Sequence, residues 1–161
     1  MRLSRAVLCF LVFGFVSQIV YYYPNLPEIV ATHFNISGEP DGWMSKQSFL
    51  IGQALLLVVI VFEFTLLPFL ISKMPDSLIN LPNKEYWLAD ERRVETFRII
   101  RHYFEWLGVA LLALFIAVNQ LVFEANLTRR NLSETASWLI LGVFLTFTAI
   151  WLIKFIKHFR K

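Results

Sequence analysis

Residues 49–72 read FLIGQALLLVVIVFEFTLLPFLIS, and this stretch decides the fold. Seventeen of residues 49–71 are Leu, Ile, Val or Phe. Each contributes about −0.3 to −0.6 kcal/mol to membrane insertion, against roughly +3 for a central acid. Glu63 therefore does not veto a span. A helix of this length rises about 36 Å, enough to cross a hydrocarbon core of about 30 Å.

Three more stretches repeat the pattern, giving expected spans at 6–23, 49–72, 104–123 and 135–153. The buried helices of a soluble protein carry a polar stripe, and these stretches carry none. Composition agrees: 57 % of the 161 residues are apolar, above the roughly 45–50 % of soluble domains, and 17 % are charged. The fold class expected is an all-α membrane protein, with residues 1–161 forming one four-helix membrane domain. Arg2 and Arg5 before an apolar run resemble a signal peptide. The run passes into Tyr21-Tyr22-Tyr23-Pro24 without a small-x-small cleavage site, so it reads as an uncleaved anchor. Cys9 is the single cysteine. It excludes an intrachain disulfide and reads as an apolar core residue.

Charge sets the orientation. With the N-terminus inside, the inner segments hold Arg2, Arg5, Lys73, Lys84, Arg92, Arg93, Arg98, Arg101, Lys154, Lys157, Arg160 and Lys161, 12 of the 15 basic residues. Lys46, Arg129 and Arg130 lie outside. The positive-inside rule then places both termini in the cytoplasm. The net charge of +3 reflects topology, and no basic groove with interleaved aromatics points to nucleic acid. Tyr21, Tyr22, Tyr23, Trp43, Trp106, Trp138 and Trp151 lie near span ends, as interfacial aromatic belts do.

The outer loop, about residues 24–48, has the character of a folded cap. Pro24 and Pro27 favour extended backbone, Asp41-Gly42 is a turn dipeptide, and Gly38 and Gly42 supply positions for positive φ. Asn35 and Asp41 suit hydrogen bonds to nearby backbone. Trp43 is expected to pack on the outer helix ends, its indole N–H on a polar partner. His33 is either a ligand contact or a hydrogen-bonded member of the cap. The inner loop, about 73–101, breaks at Pro75 and Pro82. It then enters an amphipathic helix capped by Asp90, with Val94, Phe97, Ile100 and Phe104 as its apolar stripe. That helix continues into the third span, as one bent helix or as a surface helix and a kink.

Ionisable residues inside spans are costly and default to a functional hypothesis. Glu63 and Glu105 are the intramembrane acids. Glu63 is expected to face the bundle interior. Glu105 shares a helix face with Arg101 and His102, its expected partners. One histidine, His33, near Glu28, Glu39 and Asp41 is a weak metal set without ligand spacing, so no metal and no cofactor are expected. No nucleophile–base or phosphate-loop pattern occurs. Asn35, Asn126 and Asn131 open N-x-S/T sequences, which matter only in a secretory eukaryotic context.

Two loop motifs carry a resemblance. The outer one comprises Tyr23, Pro24, Leu26, Pro27, His33, Phe34, Asn35, Gly38, Pro40, Asp41, Gly42, Trp43 and Lys46. The inner one comprises Ile79, Asn80, Pro82, Asn83, Lys84, Tyr86, Trp87 and Leu88. Over residues 15–95 the chain resembles the small bacterial membrane domain of unknown function at the N-terminus of SdpI-like proteins, which include a toxin immunity and signalling factor. The immunity proteins carry further transmembrane segments beyond this domain. The resemblance thus implies a multi-pass plasma-membrane domain rather than the immunity role itself.

Two functions are compatible with these features. One is a non-enzymatic sensor, immunity or accessory protein. Its outer loop would bind an extracellular peptide or a membrane protein, and its inner loop a cytoplasmic protein. The other is a small transporter or intramembrane enzyme using Glu63 and Glu105, for which four helices would require a homo-oligomer.

Overall fold

The computed structural model describes residues 3–160. Arg2 and Lys161, two of the charges behind the expected orientation, lie outside the described residues. The helices are α1 (Leu3–Tyr22), α2 (Lys46–Val61), α3 (Leu67–Ile71), α4 (Lys84–Trp87), α5 (Asp90–Thr128) and α6 (Glu134–Phe159). Among the described residues four helical segments are long and apolar enough to cross a membrane: Leu3–Asn25, Lys46–Ile71, Asp90–Thr128 and Glu134–Phe159. The chain is a multi-pass membrane protein. Its helices overrun the expected spans because their ends continue through polar, capped turns; Ser45 Oγ, for instance, accepts the Ser48 N–H at 3.1 Å.

The outer loop corrects the all-α expectation. It folds as an antiparallel hairpin of β1 (Ile29–Phe34) and β2 (Pro40–Ser45). The chain reverses at Asn35–Glu39, with Gly38 at φ 72°, and the expected turn at Asp41-Gly42 lies inside β2. The Asn35 side chain explains the shift: its Oδ1 accepts the Ser37 and Glu39 N–H groups at 2.9 and 3.0 Å. Gly42 is not at positive φ. A Cβ there would stand 2.9 Å from the His33 Cβ, so close cross-strand approach is what glycine permits at 42.

α5 is the hub. At about 58 Å it is nearly twice the hydrocarbon thickness, and α1, the α2–α3 segment and α6 each pack against it. It resolves the helix-or-kink alternative as one continuous helix. Its cap is Ala89, not Asp90, which occupies the first turn where an acid complements the helix dipole. Phe97 and Ile100 are buried as expected, whereas Val94 is exposed. Leu8, Phe15, Ile60, Phe64, Leu112 and Phe123 form the core between α1, α2 and α5. Ile79, Leu81, Leu88, Phe97, Ile100 and Phe159 form a second one beneath the inner loop. α6 buries only Phe159.

Between α2 and α3 the helix widens into a π-turn over Phe62–Leu66, where the Leu67 N–H reaches the Phe62 carbonyl. Pro68 follows and removes one backbone donor. The wide turn seats Phe64 on Gly108, where a Cβ would come within 2.6 Å of the Phe64 Cβ. Glu63, about 100° around the helix from Phe64, is thereby turned outward and exposed. This overturns its expected interior position.

Candidate functional site

The chain gathers its polar side chains at two ends. The hairpin end carries the outer motif. Lys46 Nζ donates to the Pro24 and Leu26 carbonyls at 3.2 and 3.0 Å and lies 4.9 Å over the Tyr23 ring. The Lys46 N–H binds the Glu28 carbonyl at 2.9 Å. Lys46 therefore ties the segment 23–28 that follows α1 to the start of α2. The hairpin is held from the other side by Asn126 near the end of α5. Its Oδ1 accepts the Ala31 N–H at 2.8 Å and its Nδ2 donates to the Ala31 carbonyl at 2.9 Å. The side-chain amide thus pairs with β1 as a neighbouring strand would. The Leu132 N–H donates to the Gly38 carbonyl at 2.8 Å, pinning the turn to the α5–α6 connection.

What remains open on the hairpin is the outer side of β2. Among the described residues the sheet has two strands; Asn126 pairs with Ala31 on the far edge of β1, and no strand covers β2. His33 Nδ1 donates to Asp41 Oδ1 on this exposed surface. Asp41 therefore bonds a side chain, not the backbone expected for it. Trp43 is 57 % exposed and Ile36 78 %, which corrects the expected packing of Trp43 on the helix ends. Ile29 and Met44 are also exposed, while Val30 is fully buried. A groove of about 310 Å³ runs between the hairpin and α6, with Phe34, Val118, Val122, Trp138 and Leu141 among its walls.

At the opposite end the inner motif clamps the last turn of α6. Trp87 Nε1 donates to the Phe159 carbonyl at 3.0 Å, and its ring stacks on His158 at 5.5 Å. Asn83, at φ 50°, donates to the Arg160 carbonyl at 3.2 Å. Lys84 Nζ reaches the Asp76 carbonyl at 3.3 Å. Asn80 and Pro82 are exposed. The N-terminus of α1 joins the same end, so both described termini lie together, as an even number of crossings requires.

Glu105 is 1 % exposed. It accepts from Arg5 Nη2 at 2.8 Å, Arg5 Nε at 3.2 Å and the Ser4 hydroxyl at 2.6 Å. His102 reaches Ser4 Oγ at 3.2 Å. Two residues of α1, Arg5 and Ser4, thus bind Glu105, and the expected partner His102 joins them through Ser4. The helices are further joined toward the hairpin end by amides. Gln53 and Asn119 exchange hydrogen bonds at 3.2 and 2.9 Å. Gln18 donates to Gln120 at 3.1 Å, and Gln120 to Tyr22 at 2.8 Å. Sequence reasoning passed over these amides. Their presence in otherwise apolar spans was the available signal, since polar side chains bridge helices in lipid.

Glu63 on the outer surface and Glu105 in its closed network do not form a common site. Among the described residues no group of three His, Cys, Asp or Glu side chains is placed to hold a metal ion.

Residues 7–58 match a family described as a domain of unknown function, DUF1648, associated with SdpI-like proteins. The match ends within α2, short of the expected 15–95, and leaves the inner motif outside it. A protein of Archaeoglobus fulgidus described as uncharacterized is 32 % identical over 116 residues, 66 % of this chain and 61 % of its own length. That relative is archaeal, whereas the resemblance implied a bacterial group. No solved structure matches.

Proposed function

From an N-terminal region that matches a membrane domain of unknown function, we propose that the chain is a non-enzymatic recognition protein of the plasma membrane. It presents the hairpin outside the cell and both termini to the cytoplasm. The partner is an extended segment of a peptide or of another membrane protein, added along the open edge of β2. The observation that carries this reading is the asymmetry of the sheet. The edge of β1 is taken by Asn126, while β2 keeps an unpaired edge beside Asp41 and Trp43. Exposed strand edges recruit partners unless they are blunted. The hairpin is fixed at Lys46, Gly38 and Asn126, so little ordering cost falls on binding. The neighbouring groove offers apolar walls for a partner side chain. The inner loop, clamped on α6, presents Asn80, Pro82 and Tyr86 to a cytoplasmic protein.

Photocrosslinking in intact cells tests this. A benzophenone amino acid at position 43 is expected to give a discrete adduct with a polypeptide. The same group at position 139, on the exposed face of α6, gives none. Identical adduct patterns at both positions, or none at either, contradict the reading.

A further inference from the structure

At the end opposite the hairpin, the start of α1, the end of α3 and the first turns of α5 enclose an open pocket of about 740 Å³. Five cations line it: Arg5, Lys73, Arg93, Arg98 and Arg101. No acidic side chain is among its walls. Three of the cations are ion-paired at the rim, Arg5 with Glu105, Arg93 with Asp76 and Arg98 with Glu95. Lys73 and Arg101 form no ion pair with a carboxylate among the described residues. Lys73 Nζ lies 5.5 Å over the Phe69 ring. The Nε of Arg101 is buried with no hydrogen-bond partner.

Lys73 and Arg101 thus line the pocket without a carboxylate to neutralise them. Set between charges already neutralised, the two ask for an anion with several acceptor oxygens. Arginine and lysine together suit phosphate, the one through its planar fork and the other as a point charge. The location narrows the source. The pocket sits where spans emerge from the hydrocarbon, and Phe69, Val94 and Phe97 line its apolar side. Basic pockets between membrane helices take anionic headgroups.

We propose that this pocket binds the phosphate group of an anionic phospholipid headgroup. It lies away from the hairpin and does not depend on the function proposed for that end. The phosphate is held by Lys73 and Arg101, and the apolar wall receives the start of an acyl chain.

Native mass spectrometry of the full chain in detergent tests the proposal, with phosphatidic acid, phosphatidylcholine and inorganic phosphate as probes. Phosphatidic acid is expected to be retained in preference to phosphatidylcholine. At about 1 kcal/mol per surface charge, Lys73→Gln is expected to weaken that retention about fivefold, and Lys73→Gln with Arg101→Gln about 25-fold. Arg101→Lys retains most of it. Lys157→Gln, which removes one charge from α6 outside the pocket, changes it less than about twofold. A lipid source predicts that millimolar inorganic phosphate does not displace phosphatidic acid; displacement assigns the pocket to soluble phosphate and overturns the lipid. Equal retention of the two lipids, or an equal effect of Lys157→Gln and Lys73→Gln, overturns the site itself.

Discussion

Arg5 and Glu105, one hundred residues apart in sequence, form the ion pair that joins α1 to α5, Nη2 to Oε1 at 2.8 Å. The carboxylate is buried while the Arg5 side chain is 47 % exposed. The pair therefore serves Glu105 more than Arg5: the guanidinium offsets the cost of holding a carboxylate inside the bundle, whereas Arg5 itself keeps contact with solvent.

Arg5→Gln is expected to destabilise the protein. Breaking a fully buried pair costs about 3–5 kcal/mol, and the exposure of Arg5 lowers the expectation to about 1–2 kcal/mol. Glu105→Gln costs less, and the double substitution recovers most of the Arg5→Gln loss. Thermal unfolding in detergent measures this. Additive losses in the double variant would show that the two residues are not coupled.

The hold on the hairpin makes a second prediction. Asn126→Ala strips both hydrogen bonds from Ala31, whose backbone is buried, at a cost of about 1–3 kcal/mol for each group left unpaired. The hairpin of this variant is expected to be cut rapidly by protease. Asp41→Ala loses only an exposed contact to His33 and is expected to resist cleavage nearly as well as the unaltered chain. Greater lability of Asp41→Ala would mean that the cap is held by its exposed face.

Gly38→Ala tests the turn. At φ 72° an alanine is disfavoured by about 1–2 kcal/mol, and its Cβ would lie 2.1 Å from the Leu132 carbonyl oxygen. Gly52, with nothing within 4 Å of such a Cβ, is the matched control. Gly52→Ala is expected to gain up to about 1 kcal/mol of helix stability. A neutral Gly38→Ala would contradict the pinned turn.

The spans, the inner amphipathic helix and a structured outer loop were legible because each rests on a contrast that sequence displays, apolar against polar. The helix faces were not. In lipid the outward and inward surfaces of a span are equally apolar, so nothing in the sequence marks α5 as the hub or α6 as peripheral. The same limit misplaced Glu63. The rule that acids face inward assumes a regular helix, whereas the turn before Pro68 spends its inward position on Phe64 against Gly108. In the sequence Arg5 reads as a topology signal, and its pairing with Glu105 depends on an interhelical register that no local pattern encodes. The strands of the hairpin were hidden by Asp41-Gly42, a stronger local turn signal than the Asn35 side chain that forms the turn.

Glu63→Leu follows from the corrected position. The carboxyl group faces out of the bundle in the π-turn, where an acid is costly to keep in hydrocarbon. Its replacement is expected to raise the apparent Tm, or at least not to lower it, in a bilayer mimic. A clear loss of stability would show that Glu63 has an inward partner.

Accessibility at the two ends tests the arrangement most directly. In a Cys9→Ala background, single cysteines are placed at Ile36, on the exposed hairpin turn, and at Ser77, in the exposed inner loop. An impermeant maleimide is then applied to intact cells and to lysed cells. Ile36→Cys is expected to be labelled in intact cells and Ser77→Cys only after lysis. Labelling of Ser77→Cys in intact cells, with Ile36→Cys protected until lysis, would contradict it.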